Sequence, residues 1–269
     1  MAAFRVMEEV GRCGEDLAAA LLGGRVVSAE YENEFPMDVL VGGHKLGVES
    51  KMSNYTHNQR ATVSQVMRLH QGVNSPGFVM DVTRGIYALV FYDAVDKGNG
   101  TKQRRRKSKI MSRRIKTEQR RLIIAKELEY VYLLDVEVML HLATHPEFQE
   151  LQRPMKGKMI CDSKKLYRED YITLDLGRTF LKKFLGGRKM DKNCRRTLDS
   201  IYGEGKWAVQ EKKVSIRFTR SNGRPSLVRQ VPVRTIGSKK LLKVLSHVLR
   251  RKKEMRMNLP VSPAAIANN

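Results

Sequence analysis

Asp38, Glu49 and Lys51 are the residues of this chain whose types and spacing point most directly to chemistry. They lie in a stretch that reads as a β-hairpin. The run Val39-Leu40-Val41 is followed by Gly42-Gly43-His44-Lys45, and Leu46-Gly47-Val48 then leads into Glu49-Ser50-Lys51. Two apolar runs around a glycine-rich turn are a strand–turn–strand signal. A loop of residues 43–44 or of residues 42–45 gives the same register, in which paired residue numbers sum to 87. Asp38 then faces Glu49 across the ladder. Lys51, two positions on, shares the face of Glu49. Like charges placed opposite each other destabilise a sheet. A hard divalent cation such as magnesium turns the same oxygens into a ligand set. A lysine beside that cation is placed to orient water or to offset phosphate charge.

Upstream, residues 4–22 read as a helix stopped by Gly23-Gly24. On it, Gly11, Ala18, Ala19 and Leu22 share the side of Glu15. A carboxylate among small and apolar residues needs a partner, and a metal held by the hairpin would be one. The bland alternative is a carboxylate placed for the helix dipole.

The ordered set resembles the PD-(D/E)xK nuclease superfamily: an acidic residue on a helix, an Asp opening one strand, and Glu-x-Lys on the next. Pro36-Met37-Asp38 departs from an adjacent Pro-Asp. The segment Val10–Gly24 is similar to the opening helix of archaeal Holliday-junction resolvases and some restriction enzymes, with Glu15 at the acidic position. The resemblance spans roughly residues 8–52. It implies an α/β, restriction-endonuclease-like mixed central sheet flanked by helices. It also implies an endonuclease cutting double-stranded DNA with Mg2+, for which Mn2+ substitutes. Asp38, Glu49, Lys51 and Glu15 would be catalytic. Asp38, Glu49, the Ser50 carbonyl and Glu15 would hold the metal. A sequence-specific enzyme is the first expectation and a junction-type resolvase the second. A non-catalytic nucleic-acid-binding protein with an ordinary polar hairpin face is the third.

Charge supports a polyanionic partner. The chain of 269 residues has 51 Lys and Arg against 28 Asp and Glu, a net charge of +23. Such an excess repels itself unless a polyanion offsets it, although charge alone does not separate DNA from RNA. Hydrophobic residues make up 41%, enough for a core. No apolar run is long enough to span a bilayer, and Met1–Val10 carries Glu8 and Glu9 without a long apolar region, so neither a secretory signal nor a membrane partner is expected. Cys13, Cys161 and Cys194 show neither zinc spacing nor a disulfide framework. A reducing, cytoplasmic setting is expected, and cutting two strands with one site per chain implies a homodimer.

The remaining pattern divides the chain. Strands are expected at 25–31, 85–93 and 128–135, and helices at 57–71 and 136–144. A like-charge block at 97–121 reads as a basic insertion, in which Lys102, Arg104, Arg105, Arg106, Lys107 and Lys109 would bind DNA phosphates. The nuclease core would occupy residues 1–152. Composition changes after Pro154, so 153–258 is expected to be a basic α+β recognition region with Arg217, Arg220 and Arg224 as DNA contacts. It would end in a basic helix over 238–257, followed by a disordered tail at 259–269. His141 and His145 have a metal-capable spacing but no third ligand.

Overall fold

The computed structural model describes residues 2–27, 37–54, 59–75, 82–93, 116–154, 158–161, 164–167, 172–184, 190–219, 225–250 and 253–256. The expected phosphate-binding residues between Lys102 and Lys109, together with Arg220, Arg224 and the 259–269 tail, lie outside them.

The molecule is built on one mixed sheet whose central strand is set by its sequence. Strand β5 (Arg84–Tyr92) is a continuous run of β-formers, buried from Gly85 to Tyr92. Such a run suits a strand covered on both faces. Strands β1 (Arg25–Val26), β2 (Val39–Val41) and β3 (Leu46–Asn54) lie on one side of β5. Strands β6 (Leu128–Asp135), β12 (Pro225–Ser238), β11 (Trp207–Thr219) and β13 (Lys253–Arg256) follow in that order on the other. Pairing is antiparallel within β1–β2–β3, parallel from β3 to β5, antiparallel from β5 to β6 and parallel from β6 to β12.

Side-chain alternation splits β5 between two cores. Ile86, Ala88 and Val90 pack with helix α1 (Ala2–Leu22), through residues such as Leu17, Ala18 and Leu21. Tyr87, Leu89 and Phe91 face the opposite layer, where Val66, Leu142, Phe184 and Leu198 come from four further helices. Helix α1 touches strands near both sheet edges, β1 and β2 on one side and β13 on the other. A sheet whose two edges reach the same helix is curled around it. The fold is therefore mixed α/β, a curled mixed sheet flanked by helices. Among the described residues, no helix is long and apolar enough to cross a membrane.

Several expectations are corrected. The sheet crosses the boundary expected at 152/153: Val233–Ile236 of β12 pair with Val131–Leu134 of β6. Apolar residues of β11 and β12, such as Ile216 and Val231, join the same core as α1. The C-terminal region thus completes the sheet rather than standing beside it. The basic insertion also ends earlier than expected. Thr117–Glu127 is a helix, and its Arg120 and Arg121 pair with Glu9 and Asp16 of α1. Arg120 is only 3% exposed. Those two arginines tie α1 to the Thr117–Glu127 helix instead of continuing the like-charge block. Strand β4 (Gln59–Thr62) occupies the start of the expected 57–71 helix. It pairs with β10 (Ile172–Leu176), which pairs in turn with β7 (Gln152–Pro154), while β8 (Lys158–Cys161) pairs with β9 (Lys164–Tyr167). The helix begins at Val63, because Thr62 and Gln65 form a capping box. The expected 238–257 helix runs only from Lys239 to Val248, and β13 follows.

Candidate active site

The hairpin register follows the expected sum over three pairs, but the expected Asp38–Glu49 pair is not part of the ladder. Val39, Leu40 and Val41 pair with Val48, Gly47 and Leu46, numbers that sum to 87. The turn is a 3-10 segment, Gly42–His44, closed by Lys45 in the left-handed region at φ 52°. The four-residue version of the loop is therefore the one adopted.

At Asp38 the main chain leaves this ladder. Its N–H donates to the Val48 carbonyl at 2.9 Å, and its carbonyl accepts from Val27 N–H at 2.8 Å. Beyond that point β2 no longer offers backbone partners to β3. The side chain takes over: Ser50 N–H donates to Asp38 Oδ2 at 2.6 Å. An extended residue directs its N–H and C=O toward the same neighbour, so the Ser50 carbonyl faces the same gap. The Ser50 hydroxyl is buried with no hydrogen-bond partner among the described residues.

Glu49 is 6% exposed. It points to the face of β3 opposite to Val48 and sits beside Tyr87 of β5 in the parallel register. Lys51 shares that face, and its Nζ donates to Glu49 Oε1. The Lys51 carbonyl accepts from Gln59 Nε2 at 3.0 Å, and the same amide reaches the Val90 carbonyl at 2.7 Å. Gln59, nearly fully buried, thus fixes β3 behind Lys51.

Glu15 enters from α1. Gly14 is what lets that helix approach: a Cβ there would press on the Met52 side chain and come within 3.1 Å of Ser50 Oγ. Glu15 is partly exposed. It acts electrostatically on both Asp38 and Lys51.

The charges perturb one another as crowded carboxylates do. Asp38 is pushed up to about 8, first by burial and then by Glu49, with Glu15 adding and Lys51 and the Ser50 N–H opposing. Burial works against the charge on Lys51, yet Glu49, Asp38 and Glu15 outweigh it and raise its amine above the ordinary lysine value. Tyr87 is pushed up by burial and by the charges of Glu49 and Asp38.

Asp38 is thus bonded to Ser50 and Lys51 to Glu49, while Glu15, on the helix that packs against the Ser50 and Met52 face of β3, reaches them through its charge. Among the described residues, no three His, Cys, Asp or Glu side chains stand in ready ligand geometry. Lys51 occupies a Glu49 oxygen instead. Arg217 lies elsewhere, exposed on β11 opposite Val228. His141 and His145 stack at 4.4 Å between ring centroids on the opposite layer.

Three residues at the site were not singled out by sequence: Gly14, Gln59 and Tyr87. The Tyr87 hydroxyl is buried next to Glu49, without a hydrogen-bond partner among the described residues. Its signal was the register alone, since β3 and β5 align Glu49 with Tyr87.

The chain matches no protein-family model, no characterised protein and no solved structure.

Proposed function

We propose that the protein is a divalent-metal-dependent endonuclease that hydrolyses phosphodiester bonds in double-stranded DNA, on a sheet of restriction-endonuclease-like type. One observation carries the reading. Asp38, the Glu49–Lys51 pair and Glu15 share one electrostatic cluster at the splayed end of β2 and β3, in the order of the PD-(D/E)xK signature.

The donors fit a hard divalent cation: carboxylates and a main-chain carbonyl, with neither thiol nor imidazole among them. The resistance of Asp38 to ionisation fits as well, since a cation between crowded carboxylates favours their charged forms. In this reading Asp38, Glu49 and the Ser50 carbonyl hold Mg2+, with Mn2+ able to substitute, and Glu15 joins directly or through water. The bound cation supplies charge neutralisation at the scissile phosphate and a more acidic water. Lys51, anchored by Glu49, orients the attacking water and offsets charge gathering on the phosphate. The basic residues from Lys102 to Lys109 grip backbone phosphates, which sets affinity more than sequence choice. Two chains, each with one site, cut the two strands as a homodimer.

The test is incubation with supercoiled plasmid and Mg2+, with a chelator control. Chelator-sensitive nicking or linearisation supports the reading. Intact plasmid under retained DNA binding would leave a non-catalytic binding protein. Preferential cutting of four-way junctions over linear duplex would identify the structure-specific form.

A further inference from the structure

A second charged feature lies away from the carboxylate cluster. A cleft of about 410 Å³ opens between helix Lys239–Val248 and strand β11. Lys239, Lys243 and His247 line it from the helix and Arg250 from just beyond, and among the described residues no carboxylate lines it. Their spacing puts them on one helix side. Like charges on one face repel unless an anion joins them.

The floor of the cleft is ordered. Lys212 Nζ donates to the Ser246 carbonyl at 3.0 Å and to Ser246 Oγ at 2.8 Å. Ser246 Oγ in turn donates to Gln210 Oε1 at 2.8 Å. Burial and then the Arg250 charge hold Lys212 below the ordinary lysine value. The cleft also adjoins the catalytic hairpin. The His44 ring, in the β2–β3 turn, lies 6.2 Å from that of His247 between centroids. Along β3, Glu49 stands four residues beyond Lys45, roughly 13 Å at strand rise.

We infer that this cleft binds a backbone phosphate of duplex DNA, at a fixed remove from the site of cleavage. The identity of the ligand rests on the DNA reading above, whereas the anion site does not. Lysine and arginine side chains lining a cleft that holds no carboxylate among the described residues suit the oxygen pair of a phosphodiester. Such a contact carries no sequence information and positions the duplex on the protein.

The experiment is duplex binding by the full chain in chelator, where nothing is cut, followed by fluorescence anisotropy across a salt series. Lys243→Gln combined with Arg250→Gln is expected to weaken binding about tenfold. The slope of log affinity against log salt is expected to flatten by roughly 0.9 for each phosphate that the variant no longer neutralises. Lys243→Arg should restore most of the loss, which a merely unfolded variant would not allow. Unchanged affinity and slope in the double variant would overturn the assignment, as would a wild-type chain that does not bind duplex. Inorganic phosphate that binds the cleft without being displaced by duplex would overturn it too, by making it a small-anion site. Absence of cleavage with these binding effects intact would sink the nuclease reading and leave the cleft standing.

Discussion

The Asp38 carboxylate replaces a strand: its Oδ2 accepts the Ser50 N–H at 2.6 Å, at the place where β2 stops supplying backbone partners to β3. The same carboxyl group feels the charges of Glu49 and Glu15, both of which oppose its ionisation. One side chain thus closes the end of a β-ladder and opens a carboxylate cluster.

A pH dependence follows. Asp38 is pushed from an ordinary 3.8 up to about 8, so the folded chain holds a proton that the unfolded chain releases. That contribution is fully present below about pH 4 and is lost as pH rises through about 8. Asp38→Asn removes the loss while keeping an oxygen that can accept from Ser50. In chelator, the variant's melting temperature is expected to exceed that of wild type by a margin growing from acid to pH 8, on the order of a few degrees. A margin that stays flat with pH would contradict the assignment.

Metal binding should displace that proton. Below about pH 8, the apparent Mg2+ affinity is expected to rise about tenfold per pH unit, with about one proton released per ion. Calorimetry in two buffers of different ionisation enthalpy reads both quantities. Glu49→Gln should reduce affinity, whereas Lys51→Ala should not.

Gly14→Ala tests how Glu15 is delivered. Its added methyl meets the Met52 side chain and Ser50 Oγ, so either Met52 repacks or helix α1 shifts away from β3. A destabilisation of about 1–3 kcal/mol is expected from overpacking, along with a cleavage rate resembling that of Glu15→Gln. Denaturant titration and single-turnover cleavage measure the two effects. Wild-type values in both would mean that α1 has slack at this point.

Tyr87→Phe removes a buried hydroxyl that has no partner among the described residues. The metal-free variant is expected to be as stable as wild type or up to about 1 kcal/mol more stable, because no hydrogen bond is lost. A loss above about 2 kcal/mol in thermal or chemical unfolding would show that the hydroxyl is satisfied in solution.

Truncation near residue 152 should not yield a folded nuclease. It would strip β12 from β6 and remove Ile216, Phe218 and Val231 from the core shared with α1. An insoluble or molten fragment is expected. A soluble fragment with cooperative unfolding would mean that β6 tolerates life as an edge.

The hairpin was legible because local rules decide it: two apolar runs, a glycine turn, and a period of two that puts Glu49 and Lys51 together. Helix 136–144 and the central strand were legible for the same reason. The domain boundary was not. Strand β11 alternates buried Val214, Ile216 and Phe218 with outward Lys213, Ser215 and Arg217. Composition averages the two faces into a basic region, although one face completes the core. Strand β4 was missed because Gln59 reads as a polar helix residue. Its burial depends on the carbonyls of Lys51 and Val90, which only the tertiary fold brings to it. Arg120 and Arg121 read as part of a charge block for the same reason, since their partners lie on α1.

The most direct measurement of the central claim is plasmid cleavage in Mg2+ by wild type, Asp38→Asn, Glu49→Gln and Lys51→Ala, each first shown to be folded and to bind DNA. Wild type should cut only with the divalent ion, and each variant should lose about 2.7–4 kcal/mol of transition-state stabilisation, roughly a hundredfold to a thousandfold in rate. Lys51→Ala should still bind Mg2+. Equal cutting by all four proteins, or no cutting by a folded, DNA-bound, Mg2+-loaded wild type, would contradict the account.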